Sequence, residues 1–147
     1  MIYLDNAATT SMDPEIITSL QGCMRDQFAN SGAVYGIGID AKKKIEEAIE
    51  NIAFALGIPS SHNLVFTSGG TESNNLFIKG LCFPDKKTAY LGLEHPSITE
   101  TVLSFKKFSN EPFSLSKFNK QGRLDLSCLP LLKEKKIKLL CLSHVNN

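Results

Sequence analysis

The segment Thr67-Ser68-Gly69-Gly70-Thr71-Glu72-Ser73-Asn74 has the residue types of an anion site. Leu64-Val65-Phe66 before it reads as a short buried strand. Leu76, Phe77, Lys79 and Gly80 after it fall in a helical stretch whose first turn holds Thr71, Glu72 and Ser73. A helix that starts on a glycine turn presents unpaired backbone N–H groups and the positive end of its dipole, which together favour phosphate or carboxylate. Gly69 and Gly70 let such a group approach the backbone closely. Taken alone, the same residues also read as a plain cap, with Ser, Thr and Glu satisfying the helix's own amides.

Two other phosphate signatures are set aside. The turn lacks the Gly-Lys-Ser/Thr ending of a P-loop. Gly36-Ile37-Gly38-Ile39-Asp40-Ala41 matches the dinucleotide pattern in letters, but it follows the loop Phe28-Ala29-Asn30-Ser31-Gly32 and not a strand. No acidic residue stands about 20 positions on to meet a ribose, so these glycines read as loop and helix-entry residues.

The elements that must position the glycine turn alternate. Asp13 caps a helix with Pro14 in its first position, and Ile16, Ile17, Leu20, Met24 and Phe28 recur at helical spacing. A second helix is expected over 39–56, with Ala41, Ile45, Ala48, Ile49, Ile52 and Leu56 as one stripe and Gly57 and Pro59 as its stop. A strand over 88–93 and a helix over 96–108 follow, the helix turning Ile98, Val102, Leu103 and Phe105 inward. Residues 113–118 alternate as a strand, a short helix places Pro130 in its first turn if Ser127 caps it, and 137–143 closes as a buried strand. Helices alternating with strands imply an α/β layer structure with a mixed, mostly parallel sheet flanked by helices. Ligands in such sheets sit at the carboxyl ends of strands, where three polar clusters fall: 68–73, Glu94-His95-Pro96, and His144-Val145-Asn146-Asn147. The three are expected to converge on one cavity.

Composition excludes several classes. With a formal net charge of +1, and with Lys42-Lys43-Lys44 followed at once by Glu46, Glu47 and Glu50, the chain carries no basic face for nucleic acid or membrane; the lysine run reads as a solvated helix face. No stretch has the length of a membrane span, and the first residues lack the pattern of a signal peptide, so the cytoplasm is expected. Cys23, Cys82, Cys128 and Cys141 lie far apart without Cys-x-x-Cys spacing, which points to buried thiols and to neither a metal site nor a disulfide framework.

In combination the motifs resemble the amino-terminal part of cysteine desulfurases, pyridoxal-phosphate enzymes of the class V aminotransferase group, and the resemblance runs from Tyr3 to Asn147. Tyr3-Leu4-Asp5-Asn6-Ala7-Ala8-Thr9-Thr10 is similar to the family's opening, 66–74 to its phosphate turn, Glu94-His95 to its ring-stacking histidine, and His144-Val145-Asn146-Asn147 to its cofactor-contacting strand end. The resemblance implies the fold of a type I pyridoxal-phosphate transferase, with residues 1–14 an arm that joins the small domain and 15–147 an incomplete large domain. It implies that Gly70 and Thr71 hold the cofactor phosphate, that His95 stacks on the pyridine ring with acid/base support as a further role, and that Asn147 hydrogen-bonds the ring hydroxyl. It also implies L-cysteine as substrate, alanine as product, a sulfur-acceptor protein serving iron–sulfur cluster or thiocofactor assembly, and a homodimer at full length.

Two departures qualify these expectations. Where the family commonly has Asn-Pro-Ser-Ser, this chain has Asn30-Ser31-Gly32-Ala33, and without the stiffening proline a more mobile loop is expected. The Schiff-base lysine, the aspartate that pairs the pyridine nitrogen and the sulfur-accepting cysteine of the family have no counterparts up to Asn147, and Lys79 is expected to face solvent. No catalytic residue is therefore assigned, and the chain alone is not expected to turn over. A non-catalytic remnant, a split subunit, a selenocysteine lyase or another class V aminotransferase remain alternatives.

Overall fold

The computed structural model describes residues 2–81, 86–108 and 111–143, arranged as two compact units, Met1–Val65 and Phe66–Asn147.

In the first unit, α1 (Pro14–Asp26) starts as the spacing predicts: Asp13 Oδ1 accepts from the Glu15 amide at 2.8 Å, and Pro14 fills a position where an N–H would have no partner. It ends sooner than its apolar row, because Gln27 closes it by donating to the Cys23 carbonyl, and Phe28 lies beyond. α2 (Gly36–Ala55) begins three residues before the expected start, and Gly38 in its first turn is the one buried residue among the described residues of this unit. A Cβ there would lie 2.8 Å from both Cβ and O of Ala33 and 2.9 Å from the Asn30 carbonyl, so glycine is required by the packing of the 30–33 loop on the helix. At the other end, Gly57 has φ +63°; its amide donates to the Phe54 carbonyl and the Ile58 amide to Ala53, a complete Schellman ending. The lysine run is solvated, Lys42 and Lys44 pairing along the helix with Glu46 and Glu47 at 3.9 and 2.7 Å.

Two expectations fail in or beside this unit. Residues 64–66 form no strand: Val65 and Phe66 are 65% and 56% exposed, since an apolar run becomes a buried strand only with a ladder partner and cover, and neither is supplied here. Cys23 is exposed on α1 and is not a buried thiol, because the helix face that carries it has no cover within its unit. The row Ile16, Ile17, Leu20 and Met24 is exposed for the same reason.

The second unit carries α3 (Gly70–Leu81), β1 (Thr88–Leu91), α4 (Pro96–Leu103) continued by a 3-10 turn Ser104–Phe108, β2 (Phe113–Leu115), α5 (Leu129–Glu134) and β3 (Leu139–Cys141). The strands form a parallel sheet in the order β2-β1-β3, with Ala89 opposite Phe113 on one side and Leu140 on the other. Period-2 alternation divides its side chains between two cores. Tyr90, Leu139 and Cys141 pack with Ile78, Ile98, Val102 and Phe105 of the α3–α4 side. Leu91, Phe113, Leu115 and Leu140 pack with Cys128 and Leu132 on the α5 side. Helices on both faces of a parallel sheet make this an α/β layer structure, as expected. Cys128 and Cys141 are buried, and Cys82 lies outside the described residues.

The strands are shorter than their sequence patterns. β1 stops at Leu91, where a turn donates the Glu94 amide back to the Leu91 carbonyl, and β2 stops at Leu115, leaving Phe118 in a single antiparallel bridge with Leu124. β3 covers the middle of the expected 137–143. Pro130 does fall in the first turn of α5, but the cap is Asp125 and not Ser127: Asp125 Oδ1 accepts from the Ser127 amide at 2.9 Å and opens a 3-10 turn Leu126–Cys128 that leads into the helix. A carboxylate two residues upstream wins the capping position over the hydroxyl.

Candidate functional site

The connection from β1 to β2 runs through α4 on one face of the sheet, and the connection from β2 to β3 runs through α5 on the other. Successive crossovers on opposite faces open a crevice at the carboxyl end of the central strand. β1 delivers Glu94 and His95 to that end, and α3 brings the glycine turn.

The turn is held from within. Thr67 Oγ1 lies 2.7 Å from Ser73 Oγ and donates to the Gly69 carbonyl at 3.2 Å. Glu72 reaches back over the glycines, its Oε2 accepting from the Ser68 amide at 2.6 Å, one residue earlier than in a regular capping box. That bond holds the Glu72 carboxyl below the usual carboxylate range. The first ladder bond of α3 runs from the Ser73 amide to the Gly69 carbonyl at 3.0 Å, so the amides of Gly70, Thr71 and Glu72 precede the ladder. A Cβ at Gly69 or Gly70 would meet nothing within 4 Å, so the backbone of the turn is uncovered on that side.

His95 is exposed and caps α4: its Nδ1 accepts from the Ser97 amide at 3.1 Å and lies 2.9 Å from Ser97 Oγ. Asn74, one turn into α3, donates from Nδ2 to Ser97 Oγ at 2.9 Å and ties the two helix starts together. A groove of ≈ 420 Å³ runs between the helices, lined by Thr71, Asn75 and Lys79 of α3 and by His95, Ser97 and Glu100 on the α4 side. This volume falls within the range of small-ligand sites. Lys79 is exposed, as expected, and also borders the groove.

Two of the three polar clusters thus meet. Gly70 and Thr71 stand at the start of α3, and Thr71 and His95 line the same groove. Asn147, with His144-Val145-Asn146, lies outside the described residues. The β3 end nevertheless joins the site through a pair that the sequence did not single out. Glu94, buried, accepts from the Ser143 amide at 2.6 Å through Oε1 and from the Ser143 hydroxyl through Oε2. The roles of Asn74 and Ser97 were missed as well. A hydroxyl two residues after a histidine at a helix start is a readable signal; the partner 23 residues upstream is not.

Among the described residues no group of His, Cys, Asp and Glu could hold a metal ion, and no helix is long and apolar enough to cross a membrane. The site instead offers amides ahead of the ladder at a helix start, and an imidazole and a lysine that line one groove with Thr71. Such a set can bind an anion and hold an attached ring beside His95.

Known proteins resemble this chain along its length. Along 150 aligned residues the chain is 33% identical to the cysteine desulfurase IscS of Dictyoglomus turgidum, covering 99% of this chain and 38% of that protein. It is 30% identical to a cysteine desulfurase of Trichormus azollae, covering all of this chain and 37% of that one. Among solved structures, a NifS-like protein from Rickettsia africae matches with a TM-score of 0.74 and 36% identity over 91% of this chain and 36% of its own. The chain therefore spans well under half the length of these relatives. The family model described as aminotransferase class-V matches residues 2–147. With that match running along nearly every residue, the chain belongs to the class-V aminotransferase family.

Proposed function

We propose that this chain is the cofactor-binding part of a pyridoxal-phosphate-dependent cysteine desulfurase, in which Gly70 and Thr71 hold the cofactor phosphate, His95 stacks on the pyridine ring and Asn147 hydrogen-bonds the ring hydroxyl. The observation that carries this reading is the start of α3, where the amides of Gly70, Thr71 and Glu72 precede the ladder and Thr71 lines one groove with His95. A phosphate-bearing aromatic ring suits that arrangement: the dipole and amides take the dianion, Lys79 adds a cation along the groove, and the imidazole offers an aromatic face. When bound, the cofactor supplies an electron sink for bond breaking at the α-carbon of an amino-acid substrate. The residues of this chain bind and orient. Thr71 fixes the phosphate end, His95 sets the plane of the ring, and the Glu94–Ser143 clasp keeps the β1 and β3 ends in register.

In this reading the substrate is L-cysteine and the products are alanine and a sulfur passed to an acceptor protein for iron–sulfur cluster or thiocofactor assembly. The working enzyme is a cytoplasmic homodimer; residues 1–14 form an arm to its small domain and 15–147 belong to its large domain. The residues assigned in this reading bind and orient the cofactor, and none of them is assigned the Schiff-base or sulfur-accepting role. The exposed apolar row of α1, Ile16, Leu20 and Met24, is the face that the rest of such an enzyme would cover, on the same polypeptide or, in a second reading, on a split subunit.

Titration of the ¹⁵N-labelled chain with pyridoxal phosphate tests the site. The amides of Gly70 and Thr71 should shift, pyridoxal without phosphate should bind much more weakly, and Thr71→Ala should lose roughly tenfold or more in affinity, since a hydrogen bond to a charged group contributes about 1.5–3 kcal/mol. Equal binding of pyridoxal, or shifts confined to other residues, would overturn the assignment.

A further inference from the structure

We propose that Asn74 and Ser97 are positioning residues that fix the imidazole of His95 as its Nε2–H tautomer, so that the ring meets a ligand in the groove as a hydrogen-bond donor and a neutral aromatic face. The inference rests on the reading of the groove as a ligand site, but its test needs no ligand.

The atoms leave one arrangement of protons. Ser97 Oγ has a single hydrogen and, among the described residues, two side-chain hydrogen-bond neighbours, Asn74 Nδ2 and His95 Nδ1, each at 2.9 Å. The amide nitrogen of Asn74 can only donate, so it takes a lone pair of the hydroxyl, and the hydroxyl hydrogen turns to His95 Nδ1. The backbone amide of Ser97 donates to the same Nδ1 at 3.1 Å. A ring nitrogen that accepts from two donors carries no hydrogen, and a neutral imidazole must then carry its one hydrogen on Nε2.

Burial makes this arrangement durable. Ser97 is 7% exposed and Asn74 is half-buried, so water does not readily replace either partner, while His95 itself is exposed on the groove. α4 contributes the cap and α3 contributes the amide, so the tautomer is set by the packing of two helices. The chemical consequence is a division of labour within one ring: Nδ1 belongs to the protein and Nε2–H to the ligand. In the neutral ring Nδ1 is engaged by Ser97 and Nε2 carries the hydrogen, so His95 meets its ligand by donating and stacking.

The test is ¹⁵N spectroscopy of the histidine rings in the full 147-residue chain without added cofactor, at a pH above the ordinary histidine range. The chain has three histidines, and His95→Gln assigns the signals by their loss. The wild-type ring should give a bare Nδ1 and a protonated Nε2. Ser97→Ala, which keeps the backbone donor and removes the hydroxyl, should move the Nδ1 signal partway to the value of a freely exchanging imidazole. Asn74→Leu should move it the same way by less, and Ser97→Thr, which keeps the hydroxyl, should restore the wild-type spectrum. A wild-type ring protonated on Nδ1 or evenly mixed would overturn the proposal, as would a spectrum unmoved by both Ser97→Ala and Asn74→Leu. Pyridoxal phosphate binding, read on the Gly70 and Thr71 amides, is a separate measurement, so the tautomer and the cofactor site can fail independently.

Discussion

Glu72 shows how one carboxylate closes the glycine turn on itself. The Ser68 amide stabilises its charged form, so its folded-state pKa lies below that of the unfolded chain. A depressed acid contributes its stabilisation fully above the unfolded value and loses it as pH falls through the folded one. The Ser68 amide resonance should therefore hold constant at neutral pH and titrate below the ordinary glutamate range, and Glu72→Gln should abolish that step. A Ser68 signal that titrates at the ordinary value would show that the bond is not formed in solution. Single residues were legible in the sequence where the physics is local. Asp13 and Pro14 announce α1, Gly57 announces the end of α2, and Thr71 and His95 were placed at one cavity because both follow from what stands beside them in the chain. Glu94 and Ser97 were not assigned their roles, since each depends on a partner from a distant element.

The elements that support the site are few, and their weight is unequal. Ile78 on α3, 3% exposed, meets the fully buried Val102 of α4 and Cys141 of β3 in one core. Cutting Ile78 to alanine should cost about 2–5 kcal/mol, read as a lower urea midpoint with an unchanged slope. Because the same contact sets the spacing of the two helix starts, the Asn74–Ser97 bond should loosen with it. The helices were readable from their 3.6-residue stripes and caps, and all five expected ones are present. Strands were harder to read: Leu64-Val65-Phe66 and the ends of β1, β2 and β3 look alike as apolar runs, and only the supply of neighbours decides which of them enter a ladder. The exposed Cys23 has the same origin, since helical spacing reveals a face and not what covers it.

On the scale of the whole molecule, the two units differ in how much they bury. Among described residues the first unit buries only Gly38, whereas the second encloses two apolar cores around its sheet. Opening free energy follows buried contact, so amide exchange in α1 and α2 of the isolated chain should be faster than in β1 and α4 by several orders of magnitude. Equal protection in both units would mean that α1 and α2 are covered in solution. The exposed Ile16, Leu20, Met24 and Phe54 should also make the isolated chain self-associate on gel filtration. The position of β1 has a consequence for the order of assembly. Among the described residues it is the first strand in sequence and the central one of the three, so its pairing with β2 closes a shorter loop than its pairing with β3. By chain entropy each doubling of loop length costs only about 0.6 kcal/mol, but it is incurred before the contact forms. A nascent chain can therefore dock β2 and α4 on β1 while β3 is still unmade. The Glu94–Ser143 clasp, which spans 49 residues, then closes after β2 has docked, when β3 joins the other side of β1.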